Sequence, residues 1–143
     1  SGARDSKWMG GPASSGVTVS IIRAIPGLLG KFDGLAMRVP VLSGSLVDFT
    51  FLASRPTTVA EVNAVFANAA QEPRFKGLLA VTAEPLVSSD ILGMPYGSVV
   101  ALSFTKVVDG DLVKVLAWYD NEWGYVSTLV RPGEKAGAGI SSA

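Results

Sequence analysis

The dipeptide Asp109-Gly110 separates two apolar runs and is the strongest local constraint on how this chain can fold. A tight hairpin turn needs positive φ at its central residues, which glycine adopts freely and aspartate tolerates. The run before it is Ser98–Phe104, extended by Val107 and Val108, and the run after it is Leu112–Trp118. That arrangement predicts an antiparallel hairpin. A further strand is expected at Leu78–Thr82, and it follows the clearest helix of the chain. Thr58-Val59-Ala60-Glu61 fits a capping box, in which Thr58 accepts from the first turn and Glu61 reaches back. Val62, Val65, Phe66 and Ala69 then recur at helical spacing, and the helix is expected to end before Pro73.

The first third of the chain is less regular. Residues 1–13, rich in Gly, Ser and Pro, read as an irregular arm. Ser14 and Ser15 are placed to cap a helix that carries Thr18, Ile21, Ile22, Ile25, Leu28 and Leu29 at helical intervals. Pro26 should end or kink it near Ile25, with Gly30 as a stop. Leu35–Val41 and Leu46–Ala53 read as strands joined by a turn at Ser43-Gly44. Both alternating sets of the second strand are largely apolar, so both its faces are expected to be covered. Asp120 and Asn121 should start a short helix, which Pro132-Gly133 stops. The expected organisation is an arm at 1–13, one domain at 14–131 and a flexible tail at 132–143. Strands joined by helices and by a hairpin define an α+β sandwich, a mixed sheet with helices on one face.

Composition narrows the chemistry. The 143 residues contain no cysteine and no histidine. A thiolate nucleophile, a zinc–thiolate site and the Ser-His-Asp and Cys-His mechanisms are therefore excluded within this stretch. Lys+Arg and Asp+Glu are 12 each, so the net charge is zero and no basic excess points to nucleic acid. No run reaches the roughly 20 apolar residues of a membrane-spanning helix. No charged and then apolar leader opens the sequence, so no signal peptide is expected. Charges are also unevenly spread: none from Trp8 to Ile22, Asp48 alone from Val39 to Ser54, and Asp90 alone from Pro85 to Thr105. A free monomer normally charges its open sheet face. One face is thus expected to meet another protein, either further subunits of a larger complex or a second copy.

Five segments, in order, resemble phosphorylating glyceraldehyde-3-phosphate dehydrogenases. They are "PASSG" at Pro12–Gly16, "GKFDGLAMRVPV" at Gly30–Val41, "SLVDFTF" at Ser45–Phe51, "FKGLLAVTAEPLVSSD" at Phe75–Asp90 and "WYDNEWGY" at Trp118–Tyr125. The resemblance spans about Pro12 to Leu129 and implies the fold of that family's second, catalytic domain. It also implies a subunit interface on the sheet face away from the helices. Ser15 stands at the family's phosphate-holding threonine beside the retained Gly16, and Arg38 at its phosphate arginine. Asn121 matches the residue that holds the nicotinamide carboxamide, and Tyr125 the ring beside it. Departures are as informative. The family's nucleophilic cysteine and partner histidine would lie upstream of Ser1, and no G-x-G-x-x-G dinucleotide unit is present. Where the family has P-H-S-S-I-x-D, its histidine and acid are replaced by Tyr96 and Ala101.

Other groupings carry less. Asp48, Glu84, Asp90 and Glu122 have no acid–base spacing, and nothing marks Lys31 or Lys76 as buried amines. Trp8 in the arm is the expected interface anchor. Ser15, Gly16 and Arg38 are the candidate anion site, while Asn121 and Tyr125 are expected to be vestigial, with no cofactor and no metal bound by this stretch. The leading expectation is a non-catalytic, dehydrogenase-derived accessory subunit in a larger assembly. An organelle, plastid or mitochondrion, is the expected setting, with the cytoplasm as the alternative. The alternative functions are one piece of a split NAD(P)-dependent glyceraldehyde-3-phosphate dehydrogenase, or a sugar-phosphate or anion-binding module.

Overall fold

The computed structural model describes residues 11–14, 16–41 and 43–120. The chain divides after Leu42 into two compact units. In the first, β1 (Gly11–Ser14) pairs antiparallel with β2 (Leu35–Arg38), and α1 (Val17–Ala24) lies between them in sequence. Strand thus begins at Gly11, within the stretch expected to be an irregular arm. Pro26 acts as expected: α1 closes on Ile25 and a single 3-10 turn, Pro26–Leu28, follows.

The second unit holds a five-stranded mixed sheet in the order β3-β7-β5-β4, with β6 also paired to β7. The strands are β3 (Ser45–Leu52), β4 (Leu79–Thr82), β5 (Ser98–Ala101), β6 (Lys106–Val108) and β7 (Leu112–Tyr119). Only β4 and β5 run parallel. The hairpin at Asp109-Gly110 forms, with both residues at positive φ, 53° and 81°. Its tip is tied down: the Gly110 carbonyl accepts from Thr57 N–H at 2.7 Å and the Asp111 carbonyl from Ala53 N–H at 2.8 Å.

Two expectations for these strands fail. Ser98–Phe104 is not continuous, because the strand stops at Ala101 and a 3-10 turn, Leu102–Phe104, follows. The register explains the break. Val99 faces Trp118 in β5, but Val107 faces Val113 in β6, so the pairing along β7 shifts by three residues. The three residues of the turn take up that surplus. Ser43-Gly44 likewise does not make a hairpin of β2 and β3, which belong to different sheets. Gly44 has φ +85°, and a Cβ there would stand 3.1 Å from the Ser88 carbonyl oxygen. Replacing Gly44 with alanine therefore costs both left-handed strain and a backbone contact. The urea midpoint of Gly44→Ala should report a loss of about 1–3 kcal/mol.

On one sheet face α2 (Val59–Gln71) packs over Val100, Val113 and Val115. Thr58 caps it, accepting from Glu61 N–H at 3.2 Å, and it ends before Pro73 as expected. Arg55 ion-pairs with Glu61, whose carboxylate also accepts from Thr57 at 2.9 Å. Val62 and Phe66 point into the core, but Val65 is 62% exposed, against its expected place in the apolar stripe. At about 100° per residue, Val65 lies on the trailing side of the Val62–Phe66 line. A short helix, α3 (Ser88–Ile91), is closed by the Asp90 carboxylate accepting from Val87 N–H at 2.8 Å, and it buries Ile91.

β3 is the larger correction. It pairs with β7 through an unbroken register from Ser45↔Tyr119 to Leu52↔Leu112. Its residues are nevertheless mostly exposed, Leu52 to 73%, rather than covered on both faces. It ends the sheet, so it has a strand neighbour on one side only among the described residues.

Candidate functional site

In the first unit the candidate anion residues sit on two elements. Gly16 is the N-cap of α1, in αR geometry with no side-chain cap, and a Cβ on it would meet nothing within 4 Å. The first turn of α1 carries no acidic residue, so its N–H groups and positive dipole end are not neutralised from within the helix. Arg38 ends β2 and is exposed. The ladder sets Arg38 opposite Gly11 and Leu35 opposite Ser14. Arg38 is thus three ladder steps from the strand end that leads into α1, about 10 Å along the strand. Ser15, the third member, lies outside the described residues, as do Asn121, Tyr125 and Trp8.

The sequence reading overlooked the charge balance of this unit. Arg23, Lys31 and Arg38 face a single acid, Asp33, within residues 16–41. Asp33 already accepts from Gly34 N–H at 2.7 Å. The unit therefore has a local positive excess although the whole chain is neutral, and only a count by segment could have found it.

In the second unit the sheet face opposite α2 carries Leu46, Asp48, Thr50 and Leu52 from β3, and Leu112, Lys114, Leu116 and Trp118 from β7. The Lys114 Nζ reaches the Asp48 Oδ2 at 2.5 Å across the strand pair, and the Thr50 hydroxyl donates to Asp48 Oδ1 at 3.1 Å. Asp48 and Lys114 are diagonal neighbours in the ladder, where long side chains meet, while Thr50 is two residues from Asp48 on the same strand. The lone charge of the 39–54 stretch is thus matched on its own face, leaving a mostly apolar surface that includes Leu46, Leu52 and Leu112, all exposed.

The Lys114 hydrogen bond, helped by Thr50 and by the ammonium charge against a smaller cost of burial, holds the Asp48 carboxyl below the usual carboxylate range. A depressed folded pKa stabilises the fold above the unfolded pKa, and that gain is lost as pH falls through the folded value. The pair is open to water, which limits it to at most about 1 kcal/mol. Between neutral pH and about pH 3, wild type should therefore lose slightly more stability than Asp48→Asn, read from urea midpoints.

Asp120, at the end of the described residues, is buried at 6% and accepts from Gly93 N–H at 3.0 Å, fixing the loop after α3 to the end of β7. Tyr96 is exposed and Ala101 fully buried, so these two positions provide neither an imidazole nor a carboxylate. No group of three or more His, Cys, Asp or Glu that could hold a metal occurs among the described residues. No described helix is long and apolar enough to cross a membrane. No Gly-rich turn of the dinucleotide-binding kind lies in this sequence.

These features define an α+β domain with an exposed apolar sheet face, without a thiol or imidazole in this stretch. Comparison with known proteins is specific. Residues 3–121 match the family described as glyceraldehyde 3-phosphate dehydrogenase, C-terminal domain. The chain is 45% identical over 119 residues to a glyceraldehyde-3-phosphate dehydrogenase of Zymomonas mobilis, covering 83% of this chain and 35% of that protein. It is 44% identical over 124 residues to glyceraldehyde-3-phosphate dehydrogenase 3 of a Nostoc species, covering 87% and 37%. It is 48% identical over 119 residues to glyceraldehyde-3-phosphate dehydrogenase 1 of Streptomyces avermitilis, covering 83% and 35%. The chain belongs to the glyceraldehyde-3-phosphate dehydrogenase family, as a C-terminal domain. It spans about a third of the length of the curated relatives it matches.

Proposed function

We propose that this chain is the C-terminal part of the catalytic domain of a glyceraldehyde-3-phosphate dehydrogenase, and that it works together with a segment carrying the dinucleotide-binding domain, the cysteine and the histidine. The observation that carries this reading is the match over residues 3–121 to relatives of which it represents about a third. In the assembled enzyme, Ser15, Gly16 and Arg38 hold a phosphate group. The α1 N-terminus presents N–H donors and Arg38 adds a guanidinium suited to two parallel hydrogen bonds. The thiolate and the imidazole come from the companion segment, since this stretch has neither. Asn121 and Tyr125 then stand beside the nicotinamide.

The test combines the chain with a family segment that carries those parts and supplies NAD, glyceraldehyde 3-phosphate and inorganic phosphate. Cofactor reduction that requires both pieces supports the reading. A folded mixture without turnover overturns it and favours a non-catalytic accessory subunit. The apolar face around Asp48 and Lys114 supports that second reading, because a surface with its charges already matched is suited to burial against another protein.

A further inference from the structure

We propose that Asp33-Gly34 is a site of self-modification, where the Gly34 nitrogen closes on the Asp33 side chain and the chain reopens as isoaspartate. The geometry is that of the ring-closing step. Asp33 Oδ1 accepts from Gly34 N–H at 2.7 Å, so the side chain is folded back over its own C-terminal peptide. The carboxyl carbon is one C–O bond, about 1.2 Å, from that oxygen, and so stands beside the nitrogen that attacks it. Gly34 has no Cβ to hinder the approach. Both residues are exposed and lie outside helix and strand, so water reaches them and no ladder opposes ring closure. Holding two reacting groups together in this way is the main source of intramolecular rate.

The chemistry balances with water alone. A new N–Cγ bond forms as the protonated carboxyl loses its OH and Gly34 its N–H hydrogen, which leave together as water. Water then adds back to the five-membered ring. Opening at Cγ restores aspartate, whereas opening at the Asp33 main-chain carbonyl breaks that C–N bond and routes the backbone through Cγ. The mass is unchanged and the main chain gains one carbon, two residues ahead of Leu35, which begins β2 opposite Ser14. The chain's other Asp-Gly pair is an internal control. Asp109 is exposed too, but its turn is held by the Gly110 carbonyl accepting from Thr57 N–H at 2.7 Å and the Asp111 carbonyl from Ala53 N–H at 2.8 Å. Among the described residues no hydrogen bond draws the Asp109 carboxylate onto the Gly110 N–H. The inference goes beyond the proposed function and does not depend on it.

The test is to age the full chain, folded, in mildly acidic buffer and then cleave it with trypsin. Cleavage after Lys31, Arg38, Lys106 and Lys114 puts the two pairs on separate peptides, Phe32–Arg38 and Val107–Lys114. Isoaspartate appears as an isobaric, chromatographically shifted peptide, located by fragmentation and confirmed with an isoaspartyl methyltransferase. In the folded chain Asp33 should isomerise about tenfold or more faster than Asp109. In denaturing urea the two rates should converge, because the advantage of Asp33 is conformational. Gly34→Ala should slow the reaction while keeping the fold, since its Cβ would make only an ordinary 3.7 Å contact with Thr18 Oγ1. No isoaspartate at residue 33, an equal or faster rate at Asp109 in the folded chain, or a difference that persists in urea overturns the proposal. So does a Gly34→Ala chain that isomerises as fast as wild type.

Discussion

Val113→Asp should abolish the folded second unit. Val113 is fully buried at 0% exposure, in the cluster with Val62, Val100 and Val115 beneath α2. It also sits where β7 is paired on both edges, facing Phe51 on one side and Val107 on the other. A carboxylate there has no cation within the cluster, so it must stay charged at several kcal/mol or take up a proton and still lack a hydrogen-bond partner. Either cost consumes most of the roughly 5–15 kcal/mol that a domain has. Far-UV circular dichroism should lose the strand signal and the cooperative urea transition should vanish. Val113→Ala, which only opens a cavity, should retain the transition at a lower midpoint.

The second large effect concerns Arg38. If the first unit holds a phosphate group, Arg38→Ala removes a charge-assisted contact worth about 1.5–3 kcal/mol, or roughly 10–100-fold in affinity. Titration of a triose phosphate against the assembled enzyme should show that loss, while Arg38→Lys should recover the charge but not the paired geometry. Arg38 is exposed at the end of β2, so the substitution should leave the urea midpoint nearly unchanged. An Arg38→Ala enzyme with unaltered affinity removes the arginine from the site. A matching loss of stability would reassign it to a structural role.

The contrast between these two residues reflects what a sequence makes legible. Features set by neighbours a few positions apart were readable: the Thr58 cap, the end of α1 at Pro26 and the turn at Asp109-Gly110. Features set by pairing at long range were not. Nothing near Ser43-Gly44 reveals that β2 and β3 enter different sheets, because β3 finds its partner in β7, which begins 60 positions after β3 ends. The break between β5 and β6 is a register problem on β7, invisible in the alternation of Ser98–Phe104. Of the site, Arg38 and Gly16 were legible only through family resemblance. The Asp48–Lys114 pair was hidden because its members lie in separate strands.

The most direct test of the central claim is native mass spectrometry of the protein isolated from its source, with every polypeptide in the particle identified. The account predicts that this sequence occurs together with a dinucleotide-binding domain and the cysteine and histidine of the dehydrogenase, on the same polypeptide or on a companion. A particle that holds only chains unrelated to a dehydrogenase would contradict it.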